Sequence, residues 1–440
     1  MNRRQFLSTL AAAPLAAADP KPNIVLLFGD DLGRTDLGCY GGQEIPTPHI
    51  DSIARNGVRF TDSYVSCPYC SPTRAGLMTG RYQTHFGHEF NPGPAQQSVD
   101  NFGLPLTETA MPKRMQDLGY RTGMFGKWHL GYRDAYRPLK RGFDEFYGFL
   151  GGAHSYLDVR ADSANPIYDG DKQAEPVEYT TDEFARRAAR FIDANKDRPF
   201  FLYVPFNAVH GPMESLKKYE DRFSGIANPR RRTYAAMLSA LDDNVGVVLS
   251  ALERNKLTGN TLVVFLTDNG GPTQGNTSRN DPLRGVKAQV YEGGFRIPFM
   301  MQWPGKVPKG KVYSNPVIAL DLLPTFVAAA GGKPDASWKL DGVDLLPYVA
   351  GKEKGKPHER LFWRFGQQWA MREGDWKLVS TGGPPELYNL KSDIGESSDL
   401  ASAEKDRVQS MTAAWDRWDK NNIPPLWTPP RLAQKKRKKA

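Results

Sequence analysis

Asn23-Ile24-Val25-Leu26-Leu27-Phe28, followed at once by Gly29-Asp30-Asp31, decides the fold of this chain. A run of apolar residues without polar alternation reads as a parallel strand buried on both faces, and the Gly-Asp-Asp ends it. The arrangement returns at Thr261-Leu262-Val263-Val264-Phe265-Leu266, which runs into Thr267-Asp268-Asn269-Gly270. Phe200 to Pro205 is a third buried strand, leading to Val209-His210-Gly211-Pro212. Between them the pattern predicts helices over 47–56, 108–118, 182–195 and 232–253, with further strands over 60–65 and 121–125. Alternating strands and helices specify an α/β fold, a large mostly parallel sheet sandwiched by helices. Such sheets bind ligands at the carboxyl ends of their strands. Asp30, Asp31, Asp268 and Asn269 all fall there. Singly, each reads as a turn or cap residue; together they are four hard oxygen donors, suited to Ca2+ or Mg2+ rather than zinc.

From about residue 340 the pattern changes. Arg360 to Arg364, Gln368 to Met371, Trp376 to Val379 and Glu386 to Tyr388 are short strands separated by turns such as Glu373-Gly374-Asp375. They predict a smaller C-terminal α+β subdomain on a short antiparallel sheet, closed by a helix over 403–419. The expected plan is therefore an export signal over 1–18, a catalytic domain over 19–340, this subdomain over 341–428 and a basic tail over 429–440. Asn2-Arg3-Arg4-Gln5-Phe6-Leu7, a short Ala/Leu stretch and Ala16-Ala17-Ala18 resemble a twin-arginine signal with its cleavage site, which predicts an exported, periplasmic or secreted protein. The stretch is too short for a permanent membrane anchor, and no later segment has the uninterrupted apolar length of one.

The formal net charge of +9 is misleading. Arg3, Arg4 and the run Lys435-Lys436-Arg437-Lys438-Lys439 supply most of it, so the body of the chain is nearly neutral. A terminal basic run reads as a solvated tail, and no nucleic-acid motif accompanies it. Three cysteines do not make a disulfide framework, although Cys39 and Cys67 could pair in an oxidising compartment.

Cys70-Ser71-Pro72-Thr73-Arg74, with Leu77, Thr79, Gly80 and Arg81 behind it, lies between the two acidic strand ends. Ser71 is a good N-cap and Pro72 a good first helical residue, so a helix is expected to start directly behind Cys70. Residue 70 then sits at the positive end of that helix, where an anion is stabilised, and Arg74 points back to it from one turn on. Two plainer readings stay open here. Cys67-Pro68-Tyr69-Cys70 is also a C-x-x-C, compatible with redox chemistry or half a zinc site, and a cysteine is most often a small buried hydrophobe. Gly126-Lys127-Trp128-His129-Leu130-Gly131 adds a fixed cation beside a titratable base in a glycine-bounded loop. His210 ends another strand, and Lys287 precedes Tyr291-Glu292-Gly293-Gly294.

In order and spacing these segments resemble the type I sulfatases of the alkaline-phosphatase superfamily. The resemblance runs from Pro22 to the Glu386-Leu387-Tyr388-Asn389-Leu390 segment, and is similar in detail to arylsulfatases and N-acetylgalactosamine-6-sulfatases. Departures are few: Arg34-Thr35 stands where a Tyr-Gly pair is usual, and Ile394 where a proline often is. The resemblance implies that a maturation enzyme oxidises Cys70 to Cα-formylglycine before export, and that Asp30, Asp31, Asp268, Asn269 and residue 70 hold Ca2+. It implies that the hydrated aldehyde attacks sulfur and that Arg74 and Lys127 neutralise the sulfuryl oxygens. His210 and Lys287 then serve the leaving alcohol, and His129 the breakdown step. The expected substrate is a sulfated carbohydrate, attacked from its end, with loops carrying His85, His88, Glu89, His154 and Tyr156 forming the alcohol pocket. The alternatives are a phosphomonoester or phosphonate-ester hydrolase of the same superfamily and a catalytically inactive glycan-binding relative.

Overall fold

The computed structural model describes residues 20–93, 102–158, 160 and 162–428. The export signal expected over 1–18 and the basic run at 435–439 lie outside the described residues. Ten strands form one mixed, mostly parallel sheet in the order Lys311–Tyr313, Val58–Phe60, Phe299–Gln302, Thr261–Thr267, Asn23–Gly29, Phe200–Pro205, Arg121–Lys127, Glu145–Phe149, Tyr168–Asp169, Lys172–Gln173. The central strands run parallel. Phe299–Gln302 is antiparallel to both neighbours, as are the short strands at the far edge.

The lack of polar alternation in the first strand has a direct cause. Ile24, Leu26 and Phe28 enter one core layer, while Val25 and Leu27 enter the layer on the opposite face. All five are fully buried, each worth roughly 2 kcal/mol over exposure. Thr180–Asn195 and Pro229–Arg254 cover one face through Phe184, Ile192, Leu238 and Val245. Asn228 caps the longer helix, its side chain accepting from the Arg230 and Arg231 N–H groups. Against expectation, this helix has the length and composition to cross a membrane, yet 78% of its apolar window is buried inside the protein. Cys70–Thr79, Met111–Asp117 and Leu322–Ala329 cover the other face.

Two elements differ from the sequence expectation. The strand expected over 60–65 is split. Val58–Phe60 joins the large sheet and Ser63–Tyr64 pairs with Val317–Ile318, because Asp62 between them turns to meet Arg296 and Arg372 at 3.0 and 2.6 Å. The helix expected over 108–118 is confined to Met111–Asp117, since Glu108 is held outside it. Its carboxylate pairs with Arg81 at 2.7 Å and its carbonyl accepts from Arg141.

Arg360–Phe365, Gln368–Glu373, Trp376–Ser380 and Glu386–Asn389 form a separate four-stranded antiparallel sheet. The helix Lys405–Asp419 closes it through Met411 and Ala414. The seam with the large layer is both apolar and ionic. Trp363 stacks on Phe295 with centroids 4.4 Å apart. Fully buried Lys377 lies 3.0 Å from Glu292 and 2.7 Å from Glu396. The small sheet is thereby fastened to the segment that follows Lys287.

Candidate active site

Strand register brings the acids together. Gly29 pairs with Thr267, so the next residues, Asp30 and Asp268, emerge side by side at the carboxyl edge of the sheet. The Asp31 N–H donates to Asp268 Oδ1 at 3.2 Å, and Asn269 Nδ2 donates to Asp31 Oδ1 at 2.7 Å. Phe28 pairs with Pro205, which brings the following turn, and with it His210, to the same edge.

The helix behind this edge runs Cys70–Thr79, with residue 70 as its first residue. Its cap differs from the expected one. Tyr69 occupies the N-cap position without a side-chain bond, and Ser71 is already helical. Asn91 Oδ1 accepts the Ser71 N–H at 3.0 Å, while the Ser71 hydroxyl donates to the His129 carbonyl at 2.6 Å. The cap therefore comes from a distant loop, freeing Ser71 to hold the loop that carries His129. Gly80, left-handed at φ 64°, ends the helix, and its N–H donates to the Gly76 carbonyl. Burial pushes the Cys70 thiol up to about 12 and the Cys67 thiol well above its usual value. Reactive redox cysteines sit in partly exposed surroundings, whereas Cys67 and Cys70 are both buried free thiols, which disfavours the C-x-x-C redox reading. Cys39 and Cys67 are free thiols, not a disulfide. Cys39 belongs to the loop held by Asp51, and Cys67 to the turn before residue 70.

Arg74 reaches back as expected. Its guanidinium lies 3.4 Å from Asp30 and 3.0 Å from Asp268, and donates to the Lys127 carbonyl at 3.1 Å. Lys127 ends the strand Arg121–Lys127, fully buried, with Nζ 2.5 Å from Asp30 Oδ2. His129 does not follow from strand alternation, because its backbone is left-handed at φ 59°. The ring rests over Gly152, where a Cβ would stand 2.6 Å from it, so only glycine leaves room. Burial, then the charges of Lys127 and Arg74, holds the imidazole neutral, well below its usual range.

His210 Nδ1 lies 2.6 Å from the Gly211 carbonyl and Nε2 3.6 Å from Asp31. Burial lowers its pKa to about 4 against the opposing pull of Asp31. Lys287 Nζ sits 2.7 Å from Asp31 Oδ1, and although burial opposes its charge, the Asp31 carboxylate keeps it protonated.

The donor set fits a hard divalent cation. Among the described residues, ligand atoms of Asp30, Asp31, Cys70 and His210 lie within 4.8 Å of one another. Asp30 Oδ1 and Asn269 Oδ1 are buried without any hydrogen-bond partner, a cost that a cation between them removes. Burial, then the neighbouring Asp268, pushes the Asp30 carboxyl up to about 8, the mark of acids crowded together without their counter-ion. Asp30, Asp31 and Asp268 face Arg74, Lys127 and Lys287. A divalent ion added to that balance leaves net positive charge for an anionic ester.

A cavity of about 340 Å3 opens from this floor, lined by Tyr69, His129, His210 and Lys287 and by Asn91, Tyr132, Ala153, Asp162 and Asn165. The last five come from loops distant in sequence with no shared pattern, and sequence reasoning missed them. Two of the expected loops do line the cavity, through Asn91 and Pro92 and through Gly152 and Ala153, but the side chains named for the pocket brace those loops instead. His88 is enclosed between the Ser71 hydroxyl and the Gly103 carbonyl, and burial lowers its pKa to about 3. Glu89 binds Arg364 and the Gly366 N–H, and His85 faces Asp341. The Tyr156 hydroxyl donates to the Asn207 and His210 carbonyls, and His154 Nδ1 lies 2.8 Å from the Ser155 carbonyl.

Comparison with known proteins agrees with this geometry. The sulfatase family profile matches residues 22–332, and the profile "N-sulphoglucosamine sulphohydrolase, C-terminal" matches 286–414. Human arylsulfatase A is 36% identical, over 90% of this chain and 86% of that protein. The dog N-acetylgalactosamine-6-sulfatase is 35% identical over 79% and 70%. The crystal structure of Ps i-CgsB in complex with k-i-k-neocarrahexaose superposes with a TM-score of 0.87 at 37% identity, covering 92% of this chain and 94% of that one.

Proposed function

This chain belongs to the sulfatase family and is a sulfuric ester hydrolase, and from that premise we propose that it cleaves sulfate from the end of a sulfated glycan. A galactose or N-acetylgalactosamine sulfate is the favoured target. Two relatives support the glycan: the N-acetylgalactosamine-6-sulfatases, and the sulfatase-like structure solved with an oligosaccharide. The observation that carries the reading is the convergence of residue 70, at a helix N-terminus, with buried acids and fixed cations at the floor of a polar cavity.

In this reading Cys70 is oxidised to formylglycine by a maturation enzyme, and Asp30, Asp31, Asp268, Asn269 and residue 70 hold Ca2+. When present, the hydrated aldehyde supplies the nucleophilic hydroxyl and the ion polarises the sulfate. The chain's own residues do the rest. Arg74 and Lys127 fix residue 70 and neutralise charge on the sulfuryl oxygens. Asp268, held ionised mainly by Arg74 against its burial, accepts the proton of the attacking hydroxyl. Lys287 remains charged and faces the departing oxygen. His210, held neutral by burial, gains proton affinity from the anionic ester and donates to the leaving alcohol. His129, kept neutral by burial and then by its cationic neighbours, acts as the base at residue 70 once the alcohol has left. Export before encounter with the glycan fits the twin-arginine-like start, with modification completed in the cytoplasm.

Turnover of 4-nitrophenyl sulfate beside 4-nitrophenyl phosphate tests the reading. Preference for the sulfate, lost on chelation, supports it. A preference for the phosphate points to the alternative ester class.

A further inference from the structure

Beside the active-site cavity lies a second one of about 250 Å3, and the two share Tyr132, Ala164 and Asn165 as a common wall. Arg133, Arg137 and Tyr168 line the far side. We propose that this second cavity binds a further anionic group, a sulfate ester or a carboxylate, on the sugar next to the one being desulfated. The inference rests on the glycan-sulfatase reading and deepens it.

Arg137 carries the argument. Its Nε is buried without a hydrogen-bond partner, and its only polar contact among the described residues is a long one, Nη2 to the Tyr168 hydroxyl at 3.5 Å. The guanidinium lies over the Tyr168 ring, 4.8 Å from the centroid, which fixes its plane, and no acid among the described residues pairs with the fork. Around the catalytic centre Arg74, Lys127 and Lys287 are matched to carboxylates; here, among the described residues, no carboxylate lines the cavity. The one acid at the shared border, Asp162, turns into its own loop, where Oδ1 accepts the Ala164 N–H at 3.1 Å. Asn165 is pinned from both ends, accepting from the Gly151 N–H and donating to the Ala153 carbonyl. The partition between the cavities is therefore stiff, and Tyr132 offers both an aromatic wall. An oriented guanidinium with open donors, beside an exposed Arg133, matches the paired oxygens of a sulfate or carboxylate.

The test uses three disaccharides with the same scissile sulfate on the terminal sugar. The second sugar is neutral in one, sulfated in another and a uronic acid in the third. Calorimetric binding to Cys70→Ala protein needs no turnover, and kcat/KM with active enzyme gives a second readout. An anionic neighbour is expected to improve both by about tenfold to a hundredfold, the worth of one or two charge-assisted hydrogen bonds. The stronger of the two anionic arms identifies the group. Added salt is expected to shrink the advantage. Folded Arg137→Gln is expected to bring the ratio of anionic to neutral substrate close to one, and Arg133→Gln to lower it partly. Equal binding of neutral and anionic disaccharides overturns the proposal, as does a folded Arg137→Gln with the ratio intact. A failed sulfatase reading shows up separately, as no hydrolysis of 4-nitrophenyl sulfate by the unmutated enzyme.

Discussion

Lys287 Nζ sits 2.7 Å from one oxygen of Asp31 and 2.9 Å from the other, joining residues 256 positions apart in the chain. Asp31 thereby holds a cation in the wall of the cavity that His210 also lines, where the proposed mechanism places the leaving alcohol. Lys287→Ala is expected to lower kcat by about 10²- to 10⁴-fold, the usual range for a positioned donor. Kinetics across aryl sulfates of graded phenol acidity check this, with the loss largest for the poorest leaving group. A uniform rise in KM alone contradicts the assignment.

Asp30, at about 8, carries a proton near neutral pH until a cation replaces it. Calcium binding to the metal-free protein is therefore expected to release close to one proton at pH 7 and to tighten as pH rises toward 8. Because Asp30 and Asp268 titrate together, the released proton belongs to the pair. Calorimetry in buffers of different ionisation enthalpy measures it. Binding without proton release counts against the site.

His129 and His210 are expected to fail differently. His210→Ala is expected to slow sugar sulfates more than activated phenyl sulfates, because its role lies with the departing oxygen. His129→Ala is expected to bring all substrates to a similar kcat, because its step follows departure of the alcohol. Matching leaving-group dependence in both variants refutes the division of labour.

The first half of this site was legible because it is local. Asp30 and Asp268 each directly follow an apolar strand, and parallel strands in register must bring their ends together. Residue 70 and Arg74 are one helical turn apart, so their alignment also follows from spacing. The substrate cavity was not legible. Asn91, Tyr132 and the neighbouring Asp162 and Asn165 come from three loops whose paths depend on packing, and their residue types are ordinary in loops. The histidines chosen for the pocket, His85 and His88, misled for a physical reason. A neutral imidazole in the core is well satisfied by one hydroxyl and one carbonyl, as His88 is by Ser71 and Gly103. The cap of the residue-70 helix was misread likewise, since its acceptor, Asn91, is supplied from a remote loop.

The seam between the two sheets has its own pH signature. Burial, opposed by Lys377 and aided by Glu292, raises Glu396 to about 7 from 4.5. With the folded value above the unfolded one, this group's stabilisation is complete below pH 4.5 and is lost as pH rises through 7, by at most about 3 kcal/mol. Glu396→Gln is expected to remove that part of the decline, so that its melting temperature varies less between pH 5 and 8.5 than that of the unaltered protein. An unchanged slope in thermal melts contradicts the assignment.

Active protein digested with trypsin yields the peptide from Phe60 to Arg74, which contains both Cys67 and Cys70. Its mass, read after thiol alkylation, tests the account most directly. The account predicts that Cys67 alone is alkylated, and only after denaturation, while residue 70 has lost its sulfur and carries an aldehyde that reacts with hydrazide. A fully active enzyme in which Cys70 retains its thiol contradicts it.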